Sequence, residues 1–366
     1  MIGFLRKAGT AAFLLFGSGA TSAWAAEILD QPVAEVDPIS VAADETIPRE
    51  SAFRLVGDEQ WIGEDSAIQK GVVPEECDGC DIDGCECCPP IWYASAGVVI
   101  LKRNRPAPGV IVANNPGGAE YSNADDFEFQ WDVGVDVTLA RRIWNDDILE
   151  ARYFGLDSQD NNSFVAPGSF IGTAFTGPGG TSFAGQYISR LDSIELNWRR
   201  AYTSQLTLLG GFRMLEVNDD MLYRLNGNVA TGQYEYNNYL YGVQIGADLA
   251  LTDRTNPFQL NLVGKAGYYG NFVAGGVFEF QGNNFIGSFV DQETLGSFVG
   301  EVGISGAYRI TSCMAVRAGY QLLWIDNVAL GSDAAARSLL NPALLRSLEG
   351  GDLFYHGATI ALDVVW

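Results

Sequence analysis

The chain has 366 residues, with 45 acidic against 22 basic side chains and a formal net charge of -23. Glycine contributes 43 residues and aromatics 12%, while charged residues make up only 18%, which excludes a charge-rich disordered chain. The acidity excludes nucleic acid as a partner, and a single histidine leaves little for imidazole-based catalysis or metal binding, so no cofactor is expected.

Arg6 and Lys7 precede an apolar run from Ala8 to Gly19, and Ala23-Trp24-Ala25 forms an A-x-A cleavage site. The run is about a dozen residues, whereas a spanning helix needs ~20, so residues 1–25 read as a signal peptide for export rather than an anchor. No later apolar stretch reaches ~18 residues. A membrane location then requires a closed barrel, the other structure that satisfies its own backbone in lipid.

Residues 26–91 hold 17 acidic side chains against Arg49, Arg54 and Lys70, a net of -14, punctuated by Pro32, Pro38, Pro48 and Pro74. This composition predicts a largely disordered, acidic periplasmic segment, with one short amphipathic helix expected around Ser51–Ile68. It ends in Cys77, Cys80, Cys85, Cys87 and Cys88. The C-x-x-C start suits zinc, but an oxidising exported compartment favours disulfides, and Asp78, Asp81, Asp83 and Glu86 oppose thiolate formation. A disulfide cluster is therefore expected. Five is odd, which leaves one thiol free, paired with Cys313, or cross-linked to another chain in self-association through this segment. A lipid-anchored chain would carry cysteine directly after its signal peptide, and none stands there.

From Trp92 onward the period is two. Phe127, Phe129, Trp131, Val133, Val135, Val137 and Leu139 alternate with Glu128, Gln130, Asp132, Gly134, Asp136 and Thr138. One side of such a strand is greasy and the other wet. The pattern recurs and predicts ten strands, at 92–103, 127–139, 148–156, 187–199, 205–217, 235–250, 258–271, 293–309, 313–325 and 353–366. Connections alternate between short turns (140–147, 200–204, 251–257, 310–312) and long loops (104–126, 157–186, 218–234, 272–292, 326–352). That asymmetry predicts an all-β fold: a transmembrane antiparallel up-and-down β-barrel of ten to twelve strands over 92–366, in the bacterial outer membrane. A soluble sandwich also alternates. Aromatics gathered at strand ends, a polar face mixing glycine with charge, and an alternating last strand ending on Trp366 favour the barrel. Trp366 then serves as the signal read by the barrel-assembly machinery, and outer-membrane lipid is the solvent.

The blocks Leu209–Asp220, Asn238–Asp248, Gly264–Asn271, Phe298–Gly303 and Arg317–Trp324, followed by the ending at Trp366, resemble the beta-barrel porin 7 family of bacterial outer-membrane proteins. The resemblance covers roughly 92–366. It implies a porin-like barrel and supplies no catalytic or ligand residues.

Strand parity puts Glu150, Arg152, Glu195, Arg199, Arg213, Lys265, Glu301, Arg309 and Arg317 on the lumen face, because an unpaired Arg or Lys facing lipid costs about 2–4 kcal/mol at the midplane. Mixed signs there fit either a paired filling of a narrow barrel or a transverse field selecting among small solutes. Ten strands enclose little more than side chains, so the expected function is a narrow porin-like channel for passive passage of small solutes. A non-conducting structural or surface-interaction barrel acting through its long loops is the alternative. An enzyme is not expected: His356 faces outward by parity, no G-x-S-x-G elbow occurs, and Asp125-Asp126 and Asp219-Asp220 lack EF-hand spacing.

Overall fold

A computed structural model describes residues 91–366, apart from 115–119, 145–146, 167–169, 173–175, 178–179, 226–229, 253–255, 282–283 and 341–349. The expected signal peptide, acidic segment, short helix around Ser51–Ile68 and Cys77–Cys88 cluster lie outside the described residues.

In chain order the strands are β1 (Trp92–Arg103), β2 (Val110–Asn114), β3 (Glu120–Asn123), β4 (Trp131–Trp144), β5 (Asp147–Ala166), β6 (Phe170–Gly172) and β7 (Thr176–Gly177). They continue with β8 (Thr181–Ala201), β9 (Leu206–Leu225), β10 (Ala230–Ala250), β11 (Phe258–Gln281), β12 (Asn284–Arg309), β13 (Met314–Val328) and β14 (Gly351–Val365). Among the described residues one α-helix, α1 (Gly331–Leu340), lies between β13 and β14, and a single 3-10 turn (Ala124–Asp126) precedes β4. Ten strands close into an antiparallel barrel in the order β1-β14-β13-β12-β11-β10-β9-β8-β5-β4. Closure runs through β1 and β4, from Trp92↔Arg141 to Lys102↔Trp131, so the sheet has no free edge. The four short strands form a separate sheet, β3-β2-β6-β7.

Period two decides which side each residue takes. On β10 the odd positions face out, with Val243 68% and Ile245 73% exposed, while Gln244 between them is buried. Val133, Tyr268, Phe272, Val302 and Ile360 continue the same exposed apolar face around the barrel. Monomeric soluble proteins rarely expose a contiguous apolar surface this extensive, which marks a protein or membrane contact. It is bordered by aromatics at both ends. At the end where β1 begins and β14 ends, Trp92 and Trp366 stack with centroids 6.4 Å apart; at the other, Trp131, Phe354 and Tyr320 surround His356.

The structure corrects most of the predicted strand bounds at the loop end. β5 and β8 to β12 run well beyond their predicted limits there, so the segments 218–234 and 272–292 are chiefly strand ladders rather than long loops, and 157–186 is strand at both of its ends. Polar outward residues such as Glu216, Asn218 and Asp220 extend the alternation above the apolar belt, where hydropathy no longer marks it. The predicted strand 127–139 instead begins at Trp131. Phe127 and Phe129 turn into the barrel mouth and are fully buried. A Cβ at Gly185 would lie 2.8 Å from the Phe127 ring, so this approach needs glycine there.

Candidate functional site

The lumen face of the strands builds a stack of layers. Nearest the turn end, Arg317 donates to Asp363 (2.8 Å) and to the Tyr93 hydroxyl (2.9 Å), and Tyr93 donates back to Asp363 (3.0 Å). Across the lumen, Arg199 joins Glu150 (2.7 Å) to Asp248 (2.6 Å).

The next layer is a six-charge cluster. Arg152 clamps Asp136 with two hydrogen bonds (3.0 and 2.8 Å) and reaches Glu301 with a third (2.8 Å). Arg213 donates to the other Glu301 oxygen (2.9 Å) and to Ser193 (3.0 Å). Lys265 bridges Glu195 (2.9 Å) and Glu301 (3.3 Å). Gln244 donates to Glu195 and Asn197, and Asn197 reaches on to Glu150, tying this cluster to the Arg199 layer. Three cations face three carboxylates, so the cluster is balanced, and charge-assisted bonds offset its desolvation.

Above the charges the lumen becomes hydrocarbon. Val99, Leu101, Phe154, Leu156, Leu191, Leu215, Val217, Leu240, Val299, Leu323, Ile325 and Leu353 are buried against one another with Tyr269 and Tyr355. Phe154 marks the boundary, its ring lying 5.2 Å from the Arg152 guanidinium and 5.7 Å from that of Arg213.

The loop end is capped by chain folded back into the mouth. Asn327 takes φ +60, a conformation asparagine tolerates, and Ala329, Leu330, Ala334 and Ala335 follow it into the interior. Asn238 on β10 holds this segment as a neighbouring strand would: its amide donates to the Ala329 carbonyl (2.9 Å) and accepts from the Ala329 N–H (2.8 Å). Asp219 on β9 accepts from the Gly331 N–H (2.8 Å), capping α1 from the barrel wall, and pairs with the buried Arg103 (2.7 Å). Tyr187 also donates to Asp219 (2.6 Å), and Phe127, Phe129, Tyr223, Tyr234 and Tyr236 close over them.

Of the nine residues expected in the lumen, Arg152, Glu195, Arg213, Lys265 and Glu301 meet in the central cluster, and Glu150 and Arg199 meet beside it. Arg317 stands in the rim layer with Asp363. Arg309 ends β12 at the rim, eight residues along the strand from Glu301. The partners Asp136, Asn197, Gln244, Asp248 and Asp363 sit on the same face by the same parity. The Arg103–Asp219 pair and α1 depend instead on long-range packing, although Gly-Ser-Asp-Ala-Ala-Ala at 331–336 carries a local helix-start signal. His356 lies on the outward face, its Nδ1 2.6 Å from the Tyr320 hydroxyl. Among the described residues, no group of three or more His, Cys, Asp or Glu side chains is placed to hold a metal ion.

No family model and no curated protein matches the sequence, so the beta-barrel porin 7 resemblance stands on the blocks quoted above. Solved structures with similarity include the outer-membrane protease OmpT from Escherichia coli, 10% identical over 75% of this chain and 97% of that one, with a TM-score of 0.43. The translocator domain of autotransporter NalP from Neisseria meningitidis is 10% identical over 75% of this chain and 88% of that one (TM-score 0.36). The Pseudomonas putida toluene transporter TodX is 11% identical over 76% and 90% (TM-score 0.33). Similarities this weak carry no argument about what the present chain does.

Proposed function

We propose that this protein is an integral outer-membrane β-barrel whose lumen is shut in the described state, forming a polar cup open at the turn end and blind at the loop end. The observation that carries this is the double seal: a balanced, buried ion-pair cluster lies beneath a packed, mainly hydrocarbon layer, and the 327–335 segment is latched into the mouth above both. A conducting pore needs a continuous wet path, and neither a dewetted apolar layer nor paired charges supply one. This favours the non-conducting, structural or surface-interaction barrel.

The narrow small-solute channel keeps one supporting observation, the water-open cup that reaches Lys265 and Glu301 from the turn end. Passage of solutes then belongs to an opened state in which the mouth segment has left, with Arg152, Arg213, Lys265 and Glu301 as its selectivity residues.

The exposed apolar belt and its aromatic borders support the membrane assignment, with the turn end and both barrel termini periplasmic. The exposed Trp366, against Trp92, is then the feature presented to the barrel-assembly machinery. Refolding the mature chain with lipid vesicles tests the whole assignment. Flotation with the vesicles, heat-modifiable migration on gels and no swelling of protein-loaded liposomes in arabinose are the expected results. A soluble species, or rapid swelling, contradicts it.

We also propose that the Cys77–Cys88 cluster is oxidised after export. Thiol titration of the unfolded exported protein should then find few reactive groups, and five or six would exclude it.

A further inference from the structure

Five of the six cysteines stand at 77–88, and the sixth, Cys313, stands in the turn between β12 and β13. In that turn the Ile310 and Thr311 N–H groups donate to the Met314 carbonyl (2.9 and 3.1 Å). The Cys313 N–H donates to Thr311 Oγ1 (3.3 Å), and its carbonyl accepts from the Val365 N–H (3.0 Å) at the end of β14. Cys313 is disulfide-bonded. The other cysteines of the chain are Cys77, Cys80, Cys85, Cys87 and Cys88.

The strand register decides which of them is best placed to be its partner. Tyr93 on β1 pairs with Val365 from one side, and Cys313 flanks Val365 from the other. Two strand spacings, about 9.5 Å, therefore separate the Tyr93 and Cys313 backbones. β1 is pinned at this end, because the Ile91 and Trp92 N–H groups both donate to the Trp366 carbonyl (3.0 and 2.9 Å). Cys88 precedes Tyr93 by five residues and Cys87 by six, and five extended residues span ~17 Å. A disulfide bridges about 5.5 Å more between Cα atoms, so either residue covers the gap with slack. Cys77, Cys80 and Cys85 also reach, but each added residue of tether dilutes the thiol around its target.

We infer that the Cys87-Cys88 pair supplies the partner of Cys313, in a covalent staple across the seam where the first and last barrel strands meet. The link runs from the chain entering β1, past β14, to the start of β13. It holds the seam from the turn end and fastens the acidic segment beside the opening of the cup. It also resolves the odd count: one of the five clustered cysteines goes to Cys313, and four remain to form two bridges. Formation is thiol–disulfide exchange with a disulfide-bearing protein oxidant of the periplasm. One thiolate attacks the donor's disulfide, and the second thiolate attacks the resulting mixed disulfide. The donor leaves as a dithiol, carrying away two electrons and two protons. The inference rests on the proposed export and oxidation of the cluster.

The test is peptide mapping of the exported full-length protein, with free thiols blocked by N-ethylmaleimide before the membranes are solubilised. Tryptic digestion without reductant should yield 310–317 joined to 71–102, and reductant should separate the two. The double variant Cys87→Ser/Cys88→Ser should release 310–317 with a blocked thiol, whereas Cys77→Ser/Cys80→Ser should leave it joined. The reverse order would overturn the assignment. On gels, reductant should lower the temperature at which the folded band unfolds in the wild type and leave Cys313→Ser unchanged. A wild type indifferent to reductant would overturn the staple. A blocked thiol on wild-type 310–317, or a link from it to a second copy of itself, would overturn the inference and leave the oxidised cluster standing. Blocked thiols at all six positions would remove both.

Discussion

The two halves of the lumen are closed by opposite chemistry. The turn-end half is filled with ion pairs and stays open to water on one side; the loop-end half is filled with hydrocarbon and covered by chain returning from β13. A barrel this narrow cannot leave its interior empty, since a void forfeits contacts on every wall. Buried charges are tolerated only where a counter-charge stands within hydrogen-bonding reach. Arg152, Arg213 and Lys265 meet that condition through Glu301. Arg103, buried in the loop-end half, meets it through one carboxylate, Asp219, which also caps α1. The turn-end half is a distributed network, whereas the loop-end half hangs on a few latches.

The largest effect that sharpens this contrast belongs to Glu301→Gln. It removes the counter-charge shared by three cations and should destabilise the barrel by about 3–5 kcal/mol, read as a lower urea midpoint. A neutral result would mean that water, not the network, solvates the lumen.

Val243→Arg comes next. If the exposed face contacts lipid, the substitution should cost about 2–4 kcal/mol for the vesicle-inserted barrel and far less in soluble form.

Asn238→Ala acts within the loop-end half, where Asn238 also donates to the Val217 carbonyl and accepts from Asn271. Loss of both bonds to Ala329 should cost about 1–3 kcal/mol and speed amide exchange through 327–335, with no change near Lys265. Uniform exchange across both halves would erase the distinction between them.

The smallest effect is expected at Asp220, on the outward face above the apolar belt. Partial burial, with Glu235 directly opposite and Asp219 beside it, pushes this carboxyl up to about 6. A folded-state value above the unfolded one means that its favourable contribution is complete below pH ~4 and is lost as pH rises through about 6. Asp220→Asn should therefore leave stability unchanged at pH 4 and raise it slightly at pH 7; the opposite order would refute the sign.

Much of the turn-end half is legible in the sequence because period two is a local signal. Alternation alone places Glu150, Arg152, Glu195, Arg213, Lys265 and Glu301 on one face, and strand neighbours bring them together. Asp136 and Asp248 obey the same parity but complete their networks only through cross-strand pairing, which one strand does not reveal. The loop-end half is less legible. Beyond the apolar belt both faces of β8 to β10 carry polar residues, so the strands continue after hydropathy stops marking them. Phe127 and Phe129 continue the alternation of β4 yet leave the ladder, because burial in the mouth against Tyr187 outweighs pairing. The mouth segment depends on Asn238 and Asp219, about ninety and about one hundred and ten residues away along the chain, and no local pattern encodes those contacts.

Planar-bilayer recording of the refolded mature protein tests the shut lumen most directly. With insertion established, the wild type should show no discrete conductance steps under applied voltage. Regular steps from the wild type would contradict the double seal and make the charged cluster the lining of an open pore.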